Sequence, residues 1–217
     1  MAARVAAILA DLPDTANYWI AYSGGLDSHV LLSLITTIAS GFVRFPAIRA
    51  VHVHHGLLAQ ADGWTHHCEQ VCSRYGVPLT VIRVDARHAA GESQEETARR
   101  ARYAAIQTLL APGDILLTAQ HEDDQAETLL LQLLRGAGLP WLAAMPETAE
   151  FGPGLIVRPL LHCTRQELRV YAEASQLQWI EDPSNRDCRY DRNYLRQMIM
   201  PLLTERWPSA EIGRAHV

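Results

Sequence analysis

Between residues 17 and 134 the chain alternates short β-rich apolar runs with longer stretches of helical period, and this alternation constrains its fold more than any other feature. Residues 17–22 (NYWIAY) read as a strand and 27–39 as an apolar helix; 47–53 (AIRAVHV) is a second strand, with a helix at 63–75. Residues 78–84 (PLTVIRV) form a third strand, then a helix at 92–110 opens with Ser93 and Glu95/Glu96 and stops at Pro112 and Gly113. A fourth strand at 114–118 (DILLT) leads to an apolar helix at 124–134 that Gly136 and Gly138 end. Strands joined through helices make a parallel sheet covered on its faces. Past Gly136 the texture changes to a Pro- and Gly-rich loop, a short strand at 155–158, and a helix at 164–175 with Thr164 as N-cap and Glu167 completing a capping box.

Composition removes several chemistries. All 19 basic residues are Arg, so no lysine is present to grip a phosphate, form a Schiff base or act as a nucleophile. The net charge of -5 argues against a surface coated with cations for nucleic acid. A local patch survives that argument, because 186–206 holds five Arg against Asp187, Asp191 and Glu205. Cys68, Cys72, Cys163 and Cys188 contain no C-x-x-C pair, so the usual zinc, redox and iron–sulfur spacings are missing. Cys68 and Cys72 with His66 and His67 could be drawn as a metal cluster, but two thiols four apart on a helix read as packing. The Ala-rich N-terminus meets Asp11, Pro13 and Asp14 before it reaches the length of a signal or membrane span, so the expected compartment is the cytoplasm. One domain is expected over residues 1–207, including a helical extension from about 160. Residues 208–217 are expected to be a non-native tail, with the natural chain continuing past about Ser209.

Ser23-Gly24-Gly25-Leu26-Asp27-Ser28 lies between the first strand and the first helix. Such a turn aims unpaired N–H groups and the positive end of a helix dipole at one spot. Gly24 and Gly25 let the backbone approach an anion closely, and Ser23 and Ser28 add hydroxyls. A carboxylate beside phosphates repels them unless a cation intervenes, so Asp27 implies a bound magnesium ion. The segment resembles the SGGxDS signature of the PP-loop ATPases, which cleave ATP between the α- and β-phosphates. That resemblance implies a Rossmann-like open α/β sheet, of the adenine nucleotide alpha hydrolase type, with ATP and Mg2+ as cofactors.

Further segments follow in order: His52-Val53-His54-His55-Gly56-Leu57, Ala98-Arg99-Arg100-Ala101-Arg102-Tyr103, residues 118–128 (TAQHEDDQAET), Arg158-Pro159-Leu160-Leu161, residues 179–185 (WIEDPSN), and Arg192-Asn193. Together these resemble the tRNA(Ile)-lysidine synthetase family over about residues 17–203. Two positions depart from the family's pattern: His54 stands where Asn is usual, and Gln120 where His is frequent. The resemblance implies replacement of the C2 oxygen of the wobble cytidine in a CAU-anticodon tRNA(Ile) by the ε-amine of free L-lysine, with ATP leaving as AMP and pyrophosphate. It also implies that RNA-binding domains found C-terminally in the family are absent here.

Strand ends in an open α/β sheet converge on one edge, which brings His121, Asp123, Asp124 and Glu127 to the nucleotide as candidate catalytic groups. A lysine amine with a reference pKa of about 10.4 is almost entirely protonated at neutral pH, so one of these must take its proton. Ser23 to Ser28, His52 and Gly56 are the expected nucleotide-binding residues, with His52 inward on its strand and Gly56 admitting adenine against the backbone. Arg99, Arg102, Arg186, Arg192 and Arg196 are the candidates for RNA or phosphate. Two rivals stand beside this reading: a tRNA-thiolating PP-loop enzyme, and a non-catalytic adenine-nucleotide-binding module.

Overall fold

The structure is a computed structural model, and it describes residues 1–54, 61–84, 94–136 and 144–207, with side chains in the helices that begin at 61 and 94 described from 62 and 97 onward. Gly56, Gly138 and residues 208–217 lie outside the described residues. A helix not anticipated from the sequence, α1 (Ala2–Ala10), comes first and buries Val5 and Leu9. Then follow β1 (Asn17–Ala21), α2 (Leu26–Ala39), β2 (Ala47–His54), α3 (Ala61–Arg74), β3 (Leu79–Arg83), α4 (Gln94–Gln107), β4 (Ile115–Leu117) and α5 (Glu122–Leu134). The chain continues through β5 (Thr148–Phe151), β6 (Gly154–Val157), α6 (Arg165–Ala174), a 3-10 turn (Pro183–Arg186), α7 (Asp191–Tyr194), a π-helical turn (Leu195–Ile199) and α8 (Met200–Arg206).

The sheet runs β3-β2-β1-β4-β6-β5, parallel throughout except that β5 pairs antiparallel with β6. β5 lies within the Pro- and Gly-rich stretch expected as a loop, and its Thr-Ala-Glu-Phe is short and weakly alternating. It becomes a strand through the turn after it. Gly152 turns at φ +57, and a Cβ on Gly154 would stand 2.0 Å from the Asp114 carbonyl oxygen, which instead receives the Leu155 N–H at 3.1 Å. Only glycine lets the hairpin lie this close to the start of β4.

The helix α2 is buried over Ser28–Ile35, nearly all round, because it packs on the sheet, α1 and α6 together. A core of Ile20, Leu31, Leu34, Ile115 and Leu117 fills that side, and Trp19, Ile106, Leu116 and Ile156 fill the other. Each such side chain contributes about 1.5–3 kcal/mol. Capping of α6 follows its sequence: the Glu167 N–H bonds Thr164 Oγ1 at 3.1 Å, and Thr164 N–H bonds Glu167 Oε2 at 2.8 Å. Among the described residues no helix is long and apolar enough to cross a membrane.

Strand order decides where a ligand can sit. From β1 the chain steps outward to β2 and β3, then returns to place β4 on the other side of β1. The loops after β1 and β4 therefore leave in opposite directions, opening a crevice at the C-terminal ends of these two strands.

Candidate active site

The loop after β1 is built around its own serines. Ser28 Oγ donates to the Gly25 carbonyl at 3.1 Å and accepts the Ser23 N–H at 3.2 Å, while Ser23 Oγ stands 3.0 Å from it and accepts the Gly25 N–H at 3.3 Å. Ser28, buried, is thus the lock of the turn, and Ser23, exposed, is the hydroxyl that faces outward. Gly24 has φ +83, and a Cβ there would lie 3.0 Å from Cys68 Sγ and 3.3 Å from Ile180 Cδ1. A side chain is excluded by both backbone conformation and space. The Gly24 carbonyl accepts the Ile180 N–H at 2.9 Å, so the segment 177–182 clamps the loop from behind. Gly25 is the N-cap of α2 and Leu26 its first residue, where the leading N–H groups have no acceptor within the helix.

The loop after β4 meets it. His121, 1% exposed, caps α5 and places Nε2 3.7 Å from Asp27 Oδ2 and 3.5 Å from Asp124 Oδ2. Its Nδ1 is 3.3 Å from Asp123 Oδ2, an ion-pair contact short of hydrogen-bond geometry. Burial opposes charge on this ring, but pairing with Asp123 and Asp27 and the charge of Asp124 outweigh it and push its pKa up to about 10. His121 is an imidazolium at neutral pH, and a proton acceptor it is not. Asp123 also accepts the Arg165 N–H at 2.9 Å from the start of α6. Burial raises its pKa, yet His121 and Arg165 prevail and hold it down to about 2. Asp124 Oδ2 accepts the His121 main-chain N–H at 3.1 Å.

Glu127, 1% exposed, receives Arg196 on both oxygens, at 2.6 and 2.9 Å. Arg196 also reaches Asp124 at 3.2 Å, and Arg192 Nε lies 3.8 Å from Glu127 while Arg192 Nη2 donates to Thr128 at 3.2 Å. Burial raises the Glu127 pKa against the pull of Arg196. Two Arg spaced four apart fall on one helix face, and this i, i+4 spacing was a legible signal that they share a partner. The π-helical turn carrying Arg196 precedes Pro201, which lacks an N–H and crowds the preceding carbonyls. The cations suggested for RNA thus divide. Arg192 and Arg196 neutralise the acids of α5, and Arg186 makes an exposed pair with Glu181 at 3.4 Å. Arg99 lies over the Tyr103 ring at 5.1 Å, and Arg102, exposed, adds positive potential at His52.

His52 is buried with Nδ1 3.0 Å from the Tyr22 carbonyl, bracing the end of β1. Cys68 and Cys72 lie in the core, where burial pushes both thiols up to about 12; they are packing groups. The Oδ1 of Asp27 is buried without a hydrogen-bond donor while Oδ2 faces His121. An orphaned carboxylate oxygen at the mouth of an anion-binding loop fits a hard divalent cation.

Comparison with known proteins agrees with this construction. Residues 1–203 match the profile of an ATP-binding PP-loop domain. The chain is 54% identical over 202 residues to the tRNA(Ile)-lysidine synthase of Methylococcus capsulatus, covering 92% of this chain and 45% of that protein. It is 53% identical over 212 residues to the tRNA(Ile)-lysidine synthase of Pseudomonas aeruginosa, covering 98% and 47%. It therefore spans about half the length of the curated relatives it matches. Among solved structures, the U34-tRNA thiolase NcsA of Methanococcus maripaludis superposes with a TM-score of 0.75 at 16% identity, covering 97% of this chain and 74% of that one. At that identity the likeness is one of fold. With the serine-locked glycine turn, the crevice between β1 and β4 and the profile match over 1–203 all in agreement, the chain belongs to the PP-loop family of ATP-binding domains.

Proposed function

We propose that this chain is the catalytic part of a tRNA(Ile)-lysidine synthetase, joining free L-lysine to C2 of the wobble cytidine of a CAU-anticodon tRNA(Ile) in the cytoplasm. The observation that carries the reading is the meeting of Asp27, on the loop after β1, with His121 and Asp124, on the loop after β4, in one crevice. Over about half of their length, relatives named for this activity share roughly one residue in two with it. Residues 1–207 form the catalytic unit, with the helical part from about 160 clamping Gly24 and supplying Arg192 and Arg196.

The N–H groups at the start of α2 and the Ser23 hydroxyl hold the phosphates of ATP. Asp27 would hold a magnesium ion, which when bound neutralises charge on those phosphates. The C2 oxygen of cytidine attacks the α-phosphorus, the bond to pyrophosphate breaks, and the base is left adenylated. The His121 imidazolium stands beside this centre and favours the added negative charge. Lysine's ε-nitrogen then attacks C2, the C2–O bond breaks, and AMP departs with the oxygen. Asp123 and Asp124 hold the lysine ammonium beforehand, and Asp124 takes its proton. Asp123, held down to a pKa near 2 beside His121 and the Arg165 N–H, is a poor acceptor. Glu127 positions α5 through Arg196 and touches no reacting atom.

The test combines ATP, Mg2+, lysine and a CAU-anticodon tRNA(Ile) with the 217-residue chain and with a version extended to the relatives' length. Pyrophosphate release over many turnovers that requires both tRNA and lysine, with lysidine found by nucleoside mass spectrometry, is the expected result. Sustained release over many turnovers without lysine would favour the thiolating rival, and ATP binding without any release the non-catalytic one. Asp27→Ala leaving turnover untouched would overturn the reading.

A further inference from the structure

Arg158 is a buried cation that this mechanism does not use. It follows β6 at the same sheet edge as the loops after β1 and β4, and only 8% of it is exposed. Its Nη1 donates to the Pro146 carbonyl at 2.7 Å, but its Nε is buried without a partner, and among the described residues no carboxylate pairs with it. A guanidinium in this position is held at a substantial desolvation cost with no compensating anion. A second cation worsens the balance. Arg99 lies over Tyr103, whose hydroxyl accepts from Gln120 Nε2 at 3.2 Å; burial above all, and Arg99 with it, press against charge on Arg158, with Tyr103 offsetting part of this.

We propose that Arg158, with Arg99 beside it, is the seat for the α-carboxylate of the amino acid whose side-chain amine reacts in the crevice. The inference rests on the proposed function and adds the part of lysine which that mechanism leaves unbound. The Nε edge of a guanidinium is a planar fork that matches a carboxylate. Neighbouring strands are about 4.8 Å apart, so the end of β6 is one strand from the loop carrying His121 and two from Asp27. Extended lysine spans roughly 7 Å from carboxylate to ε-nitrogen at about 1.5 Å per bond, which bridges Arg158 and the α5 carboxylates. That span is held by the Gln125 side chain, next to Asp124, which bonds the Met145 N–H at 2.8 Å and the Met145 carbonyl at 2.7 Å beside Arg158's anchor. A phosphate of RNA or ATP offers the same oxyanion chemistry, but so buried a guanidinium suits a small free ligand better than a polymer backbone.

Calorimetric titration of the 217-residue chain, with a non-hydrolysable ATP analogue and Mg2+ present, tests this by comparing lysine with 1,5-diaminopentane, which lacks the carboxylate. The unmodified chain should bind lysine about tenfold or more tighter than the diamine. Arg158→Gln should lose about thirtyfold in lysine affinity, leave the diamine unchanged and so erase the preference, while Arg158→Lys recovers part of it. ATP-analogue affinity should stay within about twofold, reporting that each variant is folded. If Arg158→Gln does not fold, Arg99→Gln carries the comparison with a smaller loss. Equal affinity for lysine and diamine, no lysine binding, equal weakening of both ligands by Arg158→Gln, or weakening of the ATP analogue instead would each overturn the proposal. Failure of the unmodified chain to bind the ATP analogue would instead sink the proposed function.

Discussion

His29 and His121 are both buried, 4% and 1% exposed, and yet one is neutral and the other charged. His29 sits in α2 among the rings of Tyr22, His67 and Tyr75, at centroid distances of 5.9, 6.4 and 6.2 Å, and its Nδ1 has no partner. Burial, with His67 and Arg74 adding to it, pushes its pKa down to about 4, so the ring is neutral. His121 is buried just as deeply but lies among Asp27, Asp123 and Asp124, and its pKa goes up to about 10. Depth of burial therefore does not decide the charge of a histidine here; the residues around it do. The contrast also separates core from crevice. Around His29 the molecule spends apolar contact to make a rigid back wall for the glycine turn, and around His121 it assembles charges that only a fold with this strand order could bring together.

Breaking the charged region should have the largest effect. Arg196→Gln leaves Glu127 buried without its cation and should destabilise the chain by about 3–5 kcal/mol in denaturant titration. His29→Leu, in the neutral region, removes no ion pair and should change stability by less than about 1.5 kcal/mol. Next, His121→Gln removes the imidazolium between three carboxylates and should lower turnover about a hundredfold, whereas His29→Gln should leave turnover within about threefold. Equal effects from these two substitutions would break the comparison.

The two rings should also titrate stability in opposite directions. His29 has a folded pKa near 4, below its unfolded value near 6.5, so the unfolded chain binds more protons between them. Its contribution is complete above pH 6.5 and is lost as pH falls toward 4, by at most about 3 kcal/mol, and His29→Leu should flatten that slope. His121 has the reverse sign. Its folded pKa near 10 lies above the unfolded value, so its contribution is present below pH 6.5 and disappears as pH rises through 10. Unfolding free energies measured across pH in both variants check both slopes. Gly24→Ala, where φ +83 and the 3.0 Å approach of Cys68 both work against a side chain, should cost about 1–2 kcal/mol and weaken ATP binding.

The parallel core was legible because Val, Ile and Leu runs bounded by glycine leave little choice of element, and Thr164 with Glu167 announced α6 by capping chemistry alone. β5 was not legible, since its four residues become a strand only where Gly154 can press against Asp114. In the site, Ser23 to Ser28 declared an anion loop by local pattern, but that Ser28 locks the turn and Ser23 faces out depends on atoms placed by the fold. The protonation of His121 was equally out of reach, because Asp27 lies 94 positions away in the chain and meets it only across the crevice.

The residue pattern alone determined the alternating elements, the glycine turn at the mouth of α2, the absence of lysine chemistry and the order of the motifs, because each of these is a local property of neighbouring side chains and backbone dihedrals. Tertiary structure alone decided which acids Arg192 and Arg196 neutralise, which buried histidine is charged and, among the described residues, that the buried Arg158 has no carboxylate beside it. Charge in a protein interior is set by distances across the fold, and those distances exist only once β4 has come to lie beside β1.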